Sequence, residues 1–387
     1  MKFAHLGDCH LGSWRYPELQ EVNMNSFTMA VEHCIKEKVD MVLISGDLFD
    51  SAYPPIETLK SAFAEFKKLS DAKVPCFIIA GSHDYSSAGK TFLDVLEHAG
   101  FCKNVYQPEE RADGKIMLQP VINGKYALYG FPGMKSGLEV EKLRKIFLQE
   151  APGFFRVLML HTALKEAIGA LPIDSISISE LPEADYYALG HLHIDFLKPN
   201  LAYSGPIFPN NFEELEELQY GRFQMINISF DSLKREQIPL KIKDVTLVPV
   251  EIGNTLAATE RIISELEKHN LEDKIVLLRI SGNLSSGKMS DINFSEIEVY
   301  IKEKKAFIML KNISKINFEE SKTEIEIKDI HNVEESIMAS YIEQNPVKFS
   351  EKLPQILNAL SIEKFEDEKS VIFQDRVLDE LKKILEF

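Results

Sequence analysis

The sequence predicts an α/β layer sandwich, followed by a smaller α/β domain and a helical C-terminal tail. In the first part of the chain, short apolar runs that end in Gly, Asp or His alternate with segments whose apolar residues recur at helical spacing. The pattern changes near residue 245, and from about residue 331 it becomes polar and helical. A chain of 387 residues is long enough for roughly two or three domains. We therefore expect domains at residues 1–240, 245–325 and 331–387.

Composition narrows the class of protein. Hydrophobic residues make up 45% and charged residues 27%, which predicts a folded chain. Because no long apolar run occurs and the N-terminus enters a core-like strand at once, we expect a cytoplasmic protein without a membrane span or signal peptide. The formal net charge of −16 argues against a broad basic surface for polyanions. The four cysteines form no CxxC pair, so we expect buried thiols rather than disulfides or a zinc knuckle.

Five short apolar runs of the first domain predict buried strands, at residues 2–6, 41–44, 76–80, 156–160 and 186–189. Apolar residues on one helical face predict a helix between the first two strands: Phe27, Ala30, Val31, Cys34 and Ile35. A second helix begins after Pro54-Pro55, with a shared face of Ile56, Leu59, Phe63 and Phe66. Residues 220–228 predict a late strand, and residues 234–243 a connecting strand or linker.

The second domain repeats the alternation on a smaller scale. We expect strands at 246–252, 274–280 and 306–310, helices at 256–268 and 294–303, and a Gly/Ser-rich turn at 282–288. In the tail, an apolar stripe marks one face of a helix: Phe373, Val377, Leu381 and Ile384. That helix either packs on its own domain or docks into the groove or coiled coil of a partner.

Carboxylates and imidazoles collect at the ends of the five predicted strands. The fragments are Asp8-x-His10, Gly46-Asp47, Gly81-Ser82-His83-Asp84, His161 and Gly190-His191-x-His193. Ligands gather at the carboxyl ends of strands in α/β folds, and residues i and i+2 share a face. Mixed oxygen and nitrogen ligands suit hard and borderline divalent metals. Together the fragments predict a two-metal site, with Asp47 as the candidate for the carboxylate that bridges both ions.

The same fragments resemble the motifs of the calcineurin-like metallophosphoesterase superfamily. Within it, the chain resembles the double-strand-break repair nucleases of the meiotic-recombination-eleven family, called SbcD in bacteria. This narrower resemblance lies in Asp8-Cys9-His10-Leu11-Gly12, in Gly46-Asp47-Leu48-Phe49, and in residues 187–193 with 203–206. It covers residues 1–228, and the domain after residue 245 matches in position and size. The resemblance implies a β-sandwich flanked by helices, in α/β/β/α layers, with a smaller α/β capping domain.

The resemblance also implies a ligand set. One metal would be held by Asp8, His10, Asp47 and His193, and the other by Asp47, residue 82, His161 and His191. The family implies two manganese ions, although ligand chemistry alone also permits iron or zinc.

Three consecutive residues carry further roles by resemblance. His83 would contact the phosphate or protonate the leaving oxygen, oriented by Asp84. Ser82 stands where the family has Asn, and a hydroxyl is a shorter and weaker ligand than an amide oxygen. We therefore expect a weakened second metal site that needs more metal, rather than an absent one.

The activity implied is that of a metal-dependent DNA exonuclease and endonuclease in double-strand-break repair. It would act on double-stranded ends and single strands, as a homodimer, together with a coiled-coil SMC-like ATPase. Two alternatives stay open. A phosphatase or small-molecule phosphodiesterase of the same superfamily is disfavoured by Leu48-Phe49-Asp50-Ser51 after Asp47, where protein phosphatases tend to have an Arg-Gly motif. A weakly active DNA-end-binding scaffold is motivated by Ser82. Arg15 and Tyr16 either contact DNA or belong to a solvated loop.

Overall fold

The computed structural model of the chain describes residues 1–84, 91–229, 232–284, 288–318, 352–362 and 370–385. The chain divides into two compact units, Met1–Phe318 and Glu319–Phe387. The predicted domain boundaries at 240, 245 and 331 stay predictions, and residues 319–325 and 331–351 of those domains lie outside the described residues.

Two six-stranded sheets form the centre of the first unit. The strands of the first sheet are β1 (Lys2–Leu6), β2 (Met41–Ser45), β3 (Cys76–Ile79), β4 (Lys103–Asn104), β14 (Gly221–Ile228) and β15 (Leu233–Leu240), in the order β15-β14-β1-β2-β3-β4. Those of the second are β7 (Val121–Asn123), β8 (Tyr126–Phe131), β10 (Phe155–His161), β11 (Tyr186–Gly190), β12 (Leu197–Lys198) and β13 (Leu201–Tyr203), in the order β12-β13-β11-β10-β8-β7. A small third sheet consists of β5 (Pro108–Glu110), β6 (Ile116–Leu118) and β9 (Ile146–Leu148).

Helices cover the two large sheets. They are α1 (Pro17–Lys36), α2 (Ile56–Asp71), α3 (Phe92–His98), α4 (Glu139–Leu143), α5 (Lys165–Ile168) and α6 (Phe212–Leu218). The predicted face of α1 packs into the core, with Phe27, Ala30 and Cys34 completely buried. In α2, Leu59 and Phe66 are buried as predicted, but Ile56 is 79% exposed because it is the first residue of the helix and precedes the packed turns.

Alternation along the strands creates the layers. Phe3, Leu43 and Ile79 of the first sheet pack against inward residues of the second sheet such as Met159 and Ala188. Their neighbours in sequence point the other way, because successive side chains of a strand lie on opposite faces. Those neighbours pack under α1 and α2 in the first sheet, and against the outer helices and the third sheet in the second. The result is the α/β/β/α layering, so the predicted fold class is confirmed.

The smaller α/β part of this unit contains a parallel sheet of β16 (Val245–Glu251), β17 (Ile275–Leu284) and β18 (Ile308–Phe318), in that order. Its helices are α7 (Ala258–Leu266) and α8 (Phe294–Glu303). We call the three strands the capping sheet. Its inner face, with Ile275, Leu277 and Leu310, packs against Trp14 and Leu215 of the two-sheet part of the unit. This apolar contact fixes the capping sheet beside α6.

Several elements are longer or better paired than predicted. The segment left open as a strand or linker is β15, an edge strand that pairs antiparallel with β14 over eight residues. The strand predicted at 274–280 runs on to Leu284, so the first residues of the predicted turn at 282–288 are strand, while residues 285–287 lie outside the described part. The strand predicted at 306–310 continues to Phe318.

The second unit contains α9 (Leu353–Leu360) and α10 (Ser370–Leu385), which contact one another. The predicted apolar stripe of the tail lies on α10, and all four of its residues are partly exposed. Residues 331–351, 363–369 and 386–387 of the predicted tail lie outside the described residues. Among the helices that are described, none is both long and apolar enough to cross a membrane.

Candidate metal centre

The carboxyl ends of five strands bring the predicted fragments together. β1, β2 and β3 run parallel in the first sheet, and β10 and β11 run parallel in the second. The loops that leave these ends carry Asp8 and His10, Asp47, residues 81–84, and His191 with His193. His161 is the last residue of β10 itself. Sequence positions 153 or more residues apart, such as Asp8 and His161, therefore meet at one edge of the sandwich.

The backbone at this edge has an unusual conformation. Four residues that carry a side chain have positive φ: Asp8 (50°), His10 (42°), Asp47 (49°) and His191 (99°). Non-glycine residues rarely adopt this region, and each such residue costs on the order of 1–3 kcal/mol. Such strain is typical of functional sites, where surrounding structure holds the side chains in a required direction.

The carboxylate of Asp47 lies at the centre of the cluster. Its Oδ2 atom is 3.1 Å from Nε2 of His161 and 3.6 Å from Nε2 of His10. The other oxygen, Oδ1, accepts a hydrogen bond of 2.8 Å from the backbone N–H of His83. One oxygen is thus fixed by the backbone while the other faces two imidazoles.

Three histidines are oriented through Nδ1. His10 donates to Asp50 at 3.1 Å, and His161 donates to the backbone carbonyl of Ser45 at 2.9 Å. His193 Nδ1 lies 3.0 Å from Oε1 of Glu214. Carbonyl and carboxylate oxygens can only accept, so each Nδ1 carries a proton and Nε2 is the ring nitrogen that faces the cluster. Metal-binding histidines in proteins almost always have such a partner on the second ring nitrogen.

Buried polar atoms test whether the cluster fits a cation. Oδ2 of Asp8, Nε2 of His10 and Nε2 of His161 are buried and lack a hydrogen-bond partner among the described residues. Buried polar groups are normally satisfied, and these three are all of the kind that ligates divalent metals. Two sets of ligand atoms converge within 4.8 Å of one another: Asp8 with His10 and His193, and Asp8 with Asp47 and His161. The residues present therefore fit divalent cations.

His191 joins the cluster differently. Its ring packs edge-on against the ring of His161, with centroids 5.1 Å apart. Its backbone N–H donates to Oδ1 of Asp8 at 2.8 Å. This bond fixes one oxygen of Asp8 and leaves Oδ2 as the unpartnered one. The turn that presents His191 therefore also orients a predicted ligand of the other ion.

Burial and mutual charge shift the ionisation of the metal-free cluster. Burial opposes the ionisation of Asp47, but the charges of His161 and His10 prevail and hold its pKa well below the ordinary value. Burial opposes the charging of His161, yet the carboxylates of Asp47 and Asp8 raise its pKa to about 10. Burial and the neighbouring charge of His161 lower the pKa of His191 to about 4. The carboxylate of Asp47 is therefore ionised at neutral pH.

The predicted catalytic pair is arranged differently from the expectation. The carboxylate of Asp84 accepts hydrogen bonds from the backbone N–H groups of Leu48, Phe49 and Gly81, at 3.0 to 3.1 Å. His83 instead donates Nδ1–H to the backbone oxygen of Asp50 at 2.9 Å. Asp50, rather than Asp84, provides the orienting contact of His83, because the Asp84 side chain points under the loop. Burial and the charge of Asp47 raise the pKa of Asp84 to about 6.

Ser82 is part of the cluster. Its hydroxyl donates to Oδ2 of Asp47 at 3.4 Å, a long hydrogen bond. The hydroxyl thus reaches the same oxygen that faces His10 and His161, but as a donor to it.

Two acidic residues of this site escaped the analysis of the sequence. Asp50 lies between His10 and His83, within reach of both, and the three form a further group of possible ligands. Asp50 follows Asp47 by three residues, and this spacing could have identified it in the sequence as a candidate site residue. Glu214 on α6 contacts His193 from 21 residues further along the chain. Nothing local distinguishes Glu214 from its acidic neighbours, so its role follows only from the fold.

Comparisons with known proteins agree with this geometry. Residues 1–195 match the family described as calcineurin-like phosphoesterase, about half of the chain. Three curated relatives carry the name DNA double-strand break repair protein Mre11. The relative from Sulfolobus acidocaldarius is 24% identical over 384 residues, 96% of this chain and 97% of that protein. The one from Methanocaldococcus jannaschii is 29% identical over 63% of this chain and 70% of its own length.

The match to the Archaeoglobus fulgidus relative is 27% identical over 58% of this chain, and it spans about half (54%) of that protein. All three matches agree with the narrower resemblance seen in the motifs. The family match covers β1 to β11, the strands whose ends carry the clustered aspartates and histidines. This chain belongs to the calcineurin-like phosphoesterase family.

Proposed function

We propose that the chain is a DNA nuclease that hydrolyses phosphodiesters at DNA ends during double-strand-break repair. The reaction would use two divalent cations, for which manganese is our first candidate. The observation that carries the proposal is the shared Oδ2 of Asp47, which faces Nε2 of both His10 and His161. The family uses divalent metals, and the curated relatives are named for repair of double-strand breaks.

The proposed ligand sets are those that the family resemblance implies, and the positions of several side chains support them. Asp8, His10, Asp47 and His193 would hold one ion, because three of them converge within 4.8 Å. Asp47, His161, His191 and the Ser82 hydroxyl would hold the other. His161 and the Ser82 hydroxyl lie near Oδ2 of Asp47, and the His191 ring packs against the ring of His161.

When bound, the two ions supply an activated water and neutralise charge on the phosphoryl oxygens. The side chains around them position the substrate and handle protons. His83 is 47% exposed, and its tautomer is fixed because the Asp50 carbonyl accepts from Nδ1. Its ring lies edge-on to that of His10, with centroids 4.6 Å apart, at the border between cluster and solvent. With a second proton on Nε2, His83 would contact the phosphate or protonate the leaving oxygen from this position.

Binding of DNA needs positive charge that the chain as a whole lacks, given its net charge of −16. The exposed guanidinium of Arg15 stacks on Tyr16, 5.6 Å from the ring centroid, and both would contact the DNA strand. A coiled-coil SMC-like ATPase would supply further DNA affinity, and the partly exposed stripe of α10 would dock to it. The protein would act as a homodimer.

The test is a cleavage assay with three substrates. Linear duplex DNA, single-stranded DNA and a phosphomonoester are incubated with the protein at increasing Mn²⁺. We expect DNA cleavage that disappears in Asp47→Asn, which keeps the size of the side chain but removes its charge. Asp71→Asn serves as the matched control, because Asp71 is an exposed residue paired with Lys67 on α2.

Other outcomes identify the alternatives. Turnover of the phosphomonoester without DNA cleavage would identify a small-molecule phosphoesterase. Binding of DNA ends without turnover at saturating metal would identify a scaffold, the possibility that the long contact between Ser82 and Asp47 keeps open.

A further inference from the structure

We propose that Glu214 is a positioning residue that fixes the imidazole of His193, and that α6 thereby makes metal affinity depend on the capping sheet. The inference rests on the metal-binding part of the proposed function. It concerns a residue outside the five strand-end fragments, on a helix that contacts both parts of the first unit.

The carboxylate of Glu214 is held on both oxygens. Oε1 lies 3.0 Å from Nδ1 of His193 and accepts from the side-chain amide of Asn211 at 2.7 Å. Oε2 accepts from the backbone N–H of Asn210 at 2.9 Å. Because each oxygen is fixed, the carboxylate can hold the His193 ring in one orientation. It leaves Nε2 of His193, 4.0 Å from Oδ1 of Asp8, facing the cluster.

The helix that carries Glu214 is anchored from the opposite side. Arg279 on β17 forms an ion pair with Glu216, lies 3.9 Å from Glu213, and stacks over Phe212 at 5.0 Å from the ring centroid. Asn312 on β18 donates to Glu213 at 2.7 Å. Helix α6 therefore lies between the capping sheet and His193, with contacts on both sides.

The chemistry gives this arrangement a consequence for metal binding. A carboxylate that accepts from Nδ1–H fixes the tautomer of the imidazole and raises the basicity of Nε2, the ligating atom. Loss of such a partner typically weakens metal affinity by about 10- to 100-fold. The corresponding partners of His10 and His161, Asp50 and the Ser45 carbonyl, lie on loops and strands of the sandwich. Among these three partners, Glu214 is the one on an element bound to the capping sheet.

The experiment measures metal affinity without DNA, by calorimetric titration of Mn²⁺ into metal-free protein. We expect Glu214→Ala to weaken one Mn²⁺ site by about 10- to 100-fold. Glu217→Ala is the matched control, because Glu217 is an exposed glutamate of the same helix. Its Mn²⁺ affinity should stay within about twofold of wild type, because surface substitutions away from a site usually have small effects.

A double-variant comparison distinguishes positioning from a general structural effect. If Glu214 acts through His193, then His193→Ala combined with Glu214→Ala binds Mn²⁺ no more weakly than His193→Ala alone. A further loss of the same size in the double variant would overturn the proposal, as would wild-type affinity in Glu214→Ala. Should Glu214→Ala fail to fold, Glu214→Gln keeps the side-chain volume. We expect the Mn²⁺ affinity of Glu214→Gln to lie between that of wild type and that expected for Glu214→Ala. A wild-type protein that binds no Mn²⁺ would instead refute the proposed function itself.

Discussion

The hydroxyl of Ser82 donates to Oδ2 of Asp47 across 3.4 Å, the same oxygen that lies 3.1 Å from Nε2 of His161. A hydroxyl has one donor hydrogen and two acceptor lone pairs, whereas an amide side chain would present a carbonyl oxygen on a longer arm. Ser82 therefore stabilises the carboxylate in the metal-free protein and gives an ion a weaker ligand than Asn would. The sequence motif already predicted a weakened metal site at Ser82, and the structure shows that the Ser82 hydroxyl contacts Oδ2 of Asp47.

Replacement of Ser82 by Asn is expected to strengthen the weaker metal site. Ser82→Asn should raise its Mn²⁺ affinity by about tenfold, which corresponds to about 1.4 kcal/mol, because an amide oxygen on a longer side chain is a better ligand than the hydroxyl. Calorimetric titration and the Mn²⁺ dependence of cleavage measure the change. Ser82→Ala is the control and should bind no better than wild type. If Ser82→Asn alters neither affinity nor rate, residue 82 is not a ligand position.

Removal of His83 should affect turnover but not metal binding. His83→Ala is expected to reduce the rate of DNA cleavage by about 10²- to 10⁴-fold, the usual contribution of a general acid or base. Its affinity for Mn²⁺ should remain that of wild type, because His83 lies at the solvent border of the cluster.

The leaving group separates the two roles proposed for His83. A p-nitrophenyl phosphodiester needs no protonation of its leaving oxygen, so a general acid predicts a much smaller loss on this substrate than on DNA. An equal loss on both substrates would instead indicate contact with the phosphate.

The strand-end fragments predicted the site because each fragment can be recognised from a few consecutive residues. A short apolar strand followed by Asp or His indicates a carboxyl end, and parallel strands bring such ends together whatever their separation in sequence. The α/β/β/α layers were expected from the family resemblance, and the structure forms them by alternation of side chains, as at Phe3 and its neighbours. By contrast, β8 escaped prediction: Tyr126–Phe131 is wholly buried, and a short apolar run shows no period that would distinguish a strand from a helix.

The orientation of individual side chains could not be read in the same way. Asp84 follows His83 directly, yet its carboxylate turns toward the backbone of the preceding loop, and Asp50 contacts His83 instead. Neighbours in sequence point in different directions within a turn, so adjacency does not establish contact. The contact between Glu214 and His193 could not be predicted either, because it depends on how α6 packs.

Acid should destabilise the protein through His5. This residue is completely buried beside the hydroxyl of Tyr186, at 3.1 Å, and burial lowers its pKa from 6.5 to about 3. Between these values the unfolded chain binds the proton and the folded chain does not, so the free energy of unfolding falls as the pH falls below 6.5. The slope is about 1.4 kcal/mol per pH unit for one group.

The measurement compares urea unfolding of wild type and His5→Gln in the presence of a chelator at several pH values. Glutamine retains a hydrogen-bonding group but does not titrate. The wild type should lose roughly 2 kcal/mol more than the variant between pH 6.5 and pH 5. Parallel curves for the two proteins would show that His5 is charged in the folded state or contributes nothing.

The C-terminal tail should be dispensable for cleavage but required for the ATPase. Truncation after Glu335 removes α9 and α10, which belong to the second compact unit, and leaves the metal centre of the first unit intact. We expect unchanged DNA cleavage by the isolated protein and loss of co-purification with the ATPase. A substitution of the α10 stripe, Val377→Asp with Leu381→Asp, should reproduce the loss. ATPase binding that survives truncation would show that the tail is not the docking element.

Gly46 has a φ of +89°, and a Cβ added to it would clash with Nδ1 of His161. An alanine there cannot coexist with the bond from Nδ1 to the Ser45 carbonyl, so the His161 ring must move. Gly46→Ala should therefore destabilise the protein by several kcal/mol and weaken Mn²⁺ binding, because overpacking adds about 1–3 kcal/mol to the backbone strain.

Gly124→Ala isolates the backbone part of that cost. Gly124 also has positive φ, at +56°, but its Cβ would meet open space. This variant should cost only about 1 kcal/mol and leave Mn²⁺ affinity unchanged, since the strain of a positive φ is its sole effect. Thermal unfolding and Mn²⁺ titration of both variants provide the comparison. Equal effects of the two substitutions would mean that the close approach of His161 to Gly46 does not constrain the metal centre, and that its geometry tolerates a shift of this ring.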